Sequence, residues 1–245
     1  MRLELSRQVR TDVVDPGPRV LEVAAMFGLG VDASRMLEVI PPTRLDLHPG
    51  ELVFITGPSG GGKSTLLRLI RETLAQRDVA LIDFDALKPL ADGPVIEALA
   101  PERPVDDVMR WLSLAGLGDA FVMLRRPSEL SEGQRYRLKL AQAMAKVESA
   151  MHHGQCPMHN EKEPLRVVVV ADEFAATLDR LTAKVVGRNL RRWMTRMSAG
   201  GGMGMAGVAG AVATSHDDLL EALEPDVLVE KPLGEAVRVA RRDGS

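Results

Sequence analysis

The chain has 245 residues, of which 45% are hydrophobic and 27% are charged, and a formal net charge of −3. These values are ordinary for a soluble globular protein with a real core. The negative net charge argues against a protein that binds nucleic acid mainly by electrostatic attraction, although the surface could still carry a local basic patch. The single cysteine, Cys156, excludes an intrachain disulfide. With no run of about 18 apolar residues and no secretory h-region near the start, we expect a cytoplasmic chain without membrane insertion.

Residues 1–40 are predicted to form a β-rich N-terminal segment. Arg2–Leu5 has the pattern of a strand, and Asp15–Pro18 that of a turn. Phe27 is the only aromatic residue ahead of the strand predicted at Glu51, so it is a weak candidate for stacking on a nucleotide base.

A glycine-rich loop lies between a predicted strand at Glu51–Thr56 and a predicted helix that begins near Ser64. Its sequence, GPSGGGKST, has the GxxxxGK[ST] spacing of a phosphate-binding P-loop. Such glycines let backbone N–H groups turn inward as an anion nest at the positive end of the helix. The alternative is an ordinary strand–turn–helix connection without a binding role. The predicted strand and helix on either side of the loop and the intact Lys–Ser pair disfavour it.

In a P-loop, the lysine contacts the β- and γ-phosphates and the following serine holds Mg²⁺. We therefore assign these roles to Lys63 and Ser64. The residues predicted to bind the nucleotide here are Gly57, Pro58, Ser59, Gly60, Gly61, Gly62, Lys63, Ser64 and Thr65.

Residues 41–92 are predicted to form the first part of a nucleotide-binding core, and residues 93–147 a helical subdomain. Within the subdomain, Leu130–Gln134 reads LSEGQ ahead of a helix. Ser131 and Gln134 have the spacing of a capping box, so this stretch alone is equally consistent with a plain helix start.

Residues 148–164 are predicted to be an inserted loop. Four potential zinc ligands lie within eight of its residues, but their spacing matches no established zinc pattern. A polar surface loop is therefore favoured over a metal site at His152, His153, Cys156 and His159.

Residues 165–245 are predicted to complete the core, in a mostly parallel sheet covered by helices on both faces. The apolar run at Val167–Ala171 predicts a buried strand followed by two acids. In a P-loop enzyme Asp172 would hold Mg²⁺ and Glu173 would act as general base. A later apolar strand from Val208 leads to His216, which could donate a hydrogen bond to a phosphate.

A helix predicted at 180–197 carries several arginines on one face. A solvated basic face is favoured there over contact with a partner or with nucleic acid, so nucleic-acid binding is possible but not indicated. These arginines are Arg188, Arg191, Arg192 and Arg196. The glycine-rich stretch at Ser198–Gly207 predicts a surface loop.

The order of these motifs resembles the ATPase domain of the ABC superfamily from about residue 40 onward. The resemblance implies a P-loop α/β fold, ATP and Mg²⁺ as cofactors, and ATP hydrolysis with Glu173, His216 and Lys63 as catalytic residues. It adds Asp179, in Ala176–Asp179, as the D-loop aspartate. It also implies that two copies pair head to tail, so that Ser131, Gly133 and Gln134 of one copy meet the nucleotide of the other.

Two departures from the family pattern stand out. Ala80–Leu90 has no glutamine where the family has a loop glutamine, so Asp83 or Asp85 would have to replace it. Phe174 follows the Asp–Glu pair, where transport subunits usually have proline.

These departures resemble soluble ABC-type ATPases related to those fused to a predicted GNAT acetyltransferase domain. Three stretches carry that likeness: Val20–Leu29, Leu117–Phe121 and Ala171–Arg180. We therefore expect a dimerising ATPase that drives an unknown effector, and the alternative is the nucleotide-binding subunit of a membrane transporter. A switch that never hydrolyses nucleotide is disfavoured by the intact catalytic residues.

Overall fold

The computed structural model describes residues 1–11, 16–30, 35–152, 166–199 and 207–242. It begins with an antiparallel pair, β1 (Arg2–Thr11) and β2 (Arg35–Asp46), and the helix α1 (Pro18–Met26) lies between them in the chain. The segment predicted as β-rich up to residue 40 therefore extends to Asp46 and contains a helix.

A six-stranded sheet forms the centre of the protein, in the order β4-β5-β6-β3-β7-β8. The first five strands in this order are parallel, and β8 is antiparallel to β7. The predicted mostly parallel α/β sheet is confirmed. The strands are β3 (Leu52–Thr56), β4 (Ala80–Asp83), β5 (Val167–Ala171), β6 (Val208–Ala213), β7 (Val227–Glu230) and β8 (Arg238–Arg241).

The sheet has a hydrophobic core on each face. Along β3, Leu52 and Phe54 belong to one core and Val53 and Ile55 to the other, as the alternation of a strand requires. One core includes the long helices α6 (Glu132–His152) and α7 (Arg180–Ala199), and the other includes α2 (Lys63–Leu74) and the β1–β2 pair.

The remaining helices are short. They are α3 (Val95–Ala98), α4 (Val105–Leu114), α5 (Ala120–Met123) and α8 (Leu220–Leu223), with 3₁₀ turns at Pro127–Glu129 and Asp217–Leu219. In the described residues, no helix combines the length and the apolar character needed to cross a membrane.

The first residues of the stretch predicted as an inserted loop, 148–152, are helical, because α6 continues to His152. Glu148 is buried, and its carboxylate accepts hydrogen bonds from Arg110 and from Nε1 of Trp193. These bonds hold the end of α6 against α4 and α7. Three of the four candidate zinc ligands, His153, Cys156 and His159, lie outside the described residues. Within the described residues no cluster of side chains is suited to a metal ion.

Candidate nucleotide-binding site

Three adjacent parallel strands bring the predicted catalytic residues to one edge of the sheet. In the order β5-β6-β3, Ala171 lies opposite Val212, and Ala213 lies opposite Ile55. The P-loop follows β3, Asp172 and Glu173 follow β5, and His216 comes three residues after β6. Ligands of open α/β sheets bind at this carboxyl edge.

The P-loop backbone depends on glycine at specific positions. Gly60 and Gly62 have φ of 74° and 101°, a left-handed region that side chains rarely adopt. A Cβ on Gly57 would lie 2.3 Å from the carbonyl oxygen of Lys231, and a Cβ on Gly61 would lie 2.8 Å from the same atom. The loop therefore packs directly on the chain that follows β7, a contact that the spacing of the motif does not reveal.

Lys63 is folded over its own loop. Its Nζ donates to the carbonyl oxygens of Gly57 at 2.8 Å and Pro58 at 3.0 Å. These bonds hold the ammonium group against the backbone of the loop. A bound phosphate would compete for the same protons, since an ammonium group has three donors.

The oxygen atoms of Ser64 and Asp172 suit a magnesium ion, which prefers oxygen ligands. Ser64 is exposed in the first turn of α2, and Asp172 is partly exposed at the end of β5. Oδ1 of Asp172 accepts a hydrogen bond from the backbone N–H of Glu173 at 3.0 Å. This bond fixes the orientation of the carboxylate.

The predicted general base lies at a sharp turn. Glu173 has φ of 45° and an exposed side chain, and Ala175 has φ of 58°. Left-handed backbone is unfavourable for residues with a side chain, so the surrounding bonds must hold it. The backbone N–H of Ala175 donates to the hydroxyl of Tyr136 at 2.7 Å, and that of Phe174 to the carbonyl of Ala213 at 2.9 Å.

Asp85, rather than Asp83, contacts Asp172 at the end of β5. Its Oδ2 accepts the backbone N–H of Asp172 at 2.9 Å and pairs with Arg71 of α2. Oδ1 of Asp83 forms an ion pair with the same guanidinium at 3.0 Å and accepts the backbone N–H of Asp85 at 3.1 Å. The segment that lacks a glutamine thus carries two carboxylates that share the single positive charge of Arg71. The role of Arg71 has no local signal in the sequence.

The loop that follows β4 and contains Asp85 also contacts helix α6. Lys139 donates from Nζ to the carbonyl of Asp85 at 3.3 Å and lies 4.9 Å from the ring centroid of Phe84. Gln142 donates to the carbonyl of Lys88 at 3.0 Å. The loop therefore connects the nucleotide core to the helix that follows LSEGQ.

The predicted capping box at the start of α6 is confirmed. The backbone N–H of Ser131 donates to Oε1 of Gln134 at 2.9 Å, and the backbone N–H of Gln134 donates to Oγ of Ser131 at 3.3 Å. Gly133 packs near Leu178, where an added Cβ would lie 3.4 Å from Cδ2. The hydroxyl of Ser131 is thereby oriented and remains exposed.

The predicted D-loop aspartate caps α7. Oδ1 of Asp179 accepts the backbone N–H of Thr182 at 2.9 Å. Hydrogen bonding from the Thr182 side chain, and then from its backbone N–H, lowers the pKa of the exposed carboxyl. The next residue, Arg180, lies with Nη2 at 2.6 Å from Nδ1 of His216 and pairs with Asp218 at 3.4 Å. His216 is thus in contact with the segment after the D-loop, a pairing across 36 residues that the sequence motifs do not indicate. Phe27 is exposed at the end of α1.

Comparisons with known proteins agree with this geometry. The family profile described as ABC transporter matches residues 41–89. The sn-glycerol-3-phosphate import ATP-binding protein UgpC of Escherichia coli O157:H7 is 32% identical over 155 residues, which is 53% of this chain and 43% of that protein. UgpC of Salmonella paratyphi A is 33% identical over 156 residues, with the same coverage. The chain therefore spans less than half the length of these curated relatives.

Solved structures extend the likeness to the whole fold. The dimeric structure of MJ0796, a bacterial ABC transporter cassette, aligns with a TM-score of 0.55 at 20% identity, over 86% of this chain and 94% of that one. A dimeric post-hydrolysis state of MJ0796 bound to ADP and Pi aligns with a TM-score of 0.56 at 17% identity over the whole of both chains. The chain has the P-loop fold of the ABC ATPase domains.

Proposed function

We propose that this chain is an ABC-type ATPase that binds Mg–ATP, closes as a head-to-tail dimer and hydrolyses ATP to ADP and phosphate. The observation that carries the proposal is the meeting of Lys63, Asp172–Glu173 and His216 at the carboxyl edge of three adjacent strands. The likeness to UgpC and to the MJ0796 dimers supports both the nucleotide and the dimer.

In this reaction a water molecule attacks the γ-phosphorus, and the bond to the β–γ bridging oxygen breaks. Glu173 accepts the proton of the water as general base. Lys63 and the Nε2–H of His216 offset the negative charge on the γ-phosphoryl oxygens. Mg²⁺, held by Ser64 and Asp172, would neutralise charge on the β- and γ-phosphates. Ser131 and Gly133 of the second copy complete the site and exclude bulk water.

The dimer is tested with Glu173→Gln, which removes the base and should trap the ATP-bound state. Light scattering should show a monomer without nucleotide and a dimer with Mg–ATP. As controls, Lys63→Ala added to this variant should abolish ATP binding, whereas Ser131→Arg added to it should leave ATP binding intact and prevent dimerisation. A Glu173→Gln chain that binds ATP and stays monomeric contradicts the shared site.

The work done by the ATPase is a separate proposal. We infer an effector protein driven by dimer closure, because the carboxylate pair at Asp83 and Asp85 replaces the glutamine expected of transport subunits. The stretches Val20–Leu29, Leu117–Phe121 and Ala171–Arg180 support kinship with the ATPases related to GNAT-fused proteins, and with it a cytoplasmic location. Affinity capture with the trapped Glu173→Gln dimer should retain a protein that the monomer does not retain.

The second candidate is the nucleotide-binding subunit of a transporter. The likeness to UgpC, an import ATP-binding protein, favours it. In that case detergent extracts should yield a membrane-spanning partner bound to the trapped dimer. Capture of a partner without membrane spans, in both aqueous and detergent extracts, would instead support the effector reading.

A further inference from the structure

The helix α7 has an unusual charge distribution. It contains six cationic residues and no acidic residue, in a chain whose net charge is −3. The cations are Arg180, Lys184, Arg188, Arg191, Arg192 and Arg196. Like charges four residues apart on a helix destabilise it, so such a helix gains from an anionic partner.

Two of these cations are already neutralised within the protein. Arg180 pairs with Asp218, and Arg191 makes a bidentate pair with Asp226, at 2.7 and 2.9 Å. Asp226 also accepts the backbone N–H of Leu52 at the start of β3, so Arg191 anchors α7 to the sheet. Arg191 is therefore a structural residue.

Arg188, Arg192 and Arg196 are different. All three are exposed, and among the described residues none has an ion-pair partner. They follow one another at intervals of four residues, which places successive Cα atoms about 6 Å apart along one side of the helix. We call this set the arginine stripe. It is a row of three guanidinium groups at regular spacing that have no ion-pair partner within the described part of the chain.

A groove runs beside the arginine stripe. It has a volume of about 500 Å³ and is lined by the stripe together with Arg191, Thr195, Ala222 and Glu224. Glu224, its one acidic lining residue, lies 3.8 Å from Arg242, which offsets its charge. The groove therefore presents mainly donors and positive charge.

We propose that the arginine stripe binds the phosphate backbone of a nucleic acid. Guanidinium groups donate two parallel hydrogen bonds to a phosphate, and weakly hydrated arginine is preferred at such contacts. A row of evenly spaced cations matches a polymer with evenly spaced phosphates. Binding of this kind is independent of base sequence. The proposal goes beyond the ATPase activity and does not depend on it.

The test uses the full chain without nucleotide and a labelled single strand or duplex of about 20 nucleotides. Fluorescence anisotropy is measured from about 50 to about 200 mM salt. We expect binding that weakens steeply with salt. The variant R188Q/R192Q/R196Q should bind at least about tenfold more weakly, and its logarithmic salt slope should fall by about 2 to 3.

A matched control removes three exposed arginines elsewhere, as R19Q/R77Q/R125Q, and changes the net charge by the same amount. It should bind within about twofold of the unchanged chain, given that binding is local rather than a net-charge effect. The charge-retaining variant R188K/R192K/R196K should keep most of the salt slope. Comparison with this variant separates loss of charge from loss of fold in the glutamine variant. The thermal unfolding midpoint of each variant is also measured.

Three results would overturn the proposal. The first is that the unchanged chain binds neither the single strand nor the duplex at low salt. The second is that the stripe variant and the control variant lose the same affinity. The third is that poly-glutamate of similar length binds as tightly as the oligonucleotides and competes with them, which would assign the arginine stripe to an acidic protein instead.

Discussion

Arg180 donates a hydrogen bond from Nη2 to Nδ1 of His216 over 2.6 Å. A guanidinium group has only donors, so Nδ1 must act as the acceptor and the neutral ring carries its proton on Nε2. That tautomer leaves Nε2–H free to donate to a γ-phosphate. Arg180 is therefore expected to act as a positioning residue for the histidine.

Arg180→Gln is predicted to reduce ATP turnover about tenfold, which is less than the roughly 10²–10³-fold loss on removing such a donor, because His216 is retained and only misoriented. Nitrogen NMR at a pH where histidine is neutral should show Nδ1 of His216 as an unprotonated acceptor in the unchanged chain. In the variant the two tautomers should mix. The His216→Gln spectrum assigns the signal among the five histidines.

Arg180→Lys serves as the control. Lysine, like arginine, can only donate hydrogen bonds, so it should preserve the tautomer provided that its ammonium group reaches Nδ1 of His216. An unchanged His216 signal in Arg180→Gln would show that the bond does not select the tautomer, whatever happens to turnover.

Asp85 is predicted to position the strand-end aspartate for magnesium. Asp85→Ala removes the acceptor for the Asp172 N–H and one of the two carboxylates on Arg71. We expect kcat to fall about tenfold or more, because a small displacement of a metal ligand is costly. Asp83→Ala, which leaves the bond to Asp172, should have a smaller effect. Steady-state kinetics over a range of Mg²⁺ concentrations compare the two, and equal losses would contradict the assignment.

The only tyrosine of the chain, Tyr136, offers a spectroscopic test. Burial raises the pKa of its phenol above the ordinary value of 10.0. The unfolded chain therefore loses this proton first as pH rises, and the free energy of unfolding should decrease above about pH 10. Tyrosinate absorbance of the folded protein should appear only above that pH. In Tyr136→Phe this part of the pH dependence should disappear.

The same variant leaves the backbone N–H of Ala175, a fully buried residue, without its acceptor. An unsatisfied buried donor costs about 1–3 kcal/mol of unfolding free energy. Urea denaturation at neutral pH measures it, since the phenyl ring keeps its packing with Phe84 and Phe174. A loss below about 0.5 kcal/mol would argue that the bond contributes little net stability.

Glu148 is predicted to be a major structural carboxylate. Burial alone would raise its pKa, but hydrogen bonds from Arg110 and Trp193 outweigh burial and hold the pKa below the ordinary value of 4.5. Its contribution to stability is therefore present above about pH 4.5 and is lost as the pH falls through the lower folded pKa. Glu148→Ala should cost about 1–3 kcal/mol at neutral pH, because the buried Nε1 of Trp193 loses its acceptor, and should flatten this acid dependence. Glu102→Ala, at an exposed carboxylate, is the control and should stay within about 0.5 kcal/mol.

The sequence predicted the features that depend on neighbouring residues. The strand, loop and helix around Gly57–Thr65 and the capping box of Ser131 and Gln134 follow from local spacing, and the structure has them. It did not predict that α6 would pass Glu148, because the partners of that carboxylate lie 38 and 45 residues away. The bond between Arg180 and His216 spans 36 residues, and the pairing of Arg71 with Asp85 spans 14. Each of these contacts depends on how strands and helices pack together in the fold. The hydrophobic periodicity of the sequence does not predict that packing.

The bond between Tyr136 and Ala175 has a consequence for cooperativity. Tyr136 follows LSEGQ on α6, and Ala175 follows Glu173, so a single hydrogen bond joins the two segments within one chain. In a head-to-tail dimer these segments would serve different nucleotides, because one faces the chain's own ATP and the other faces the partner's ATP. The two sites of such a dimer would then share a rigid link. Occupancy or cleavage at one site would then alter the rate at the other.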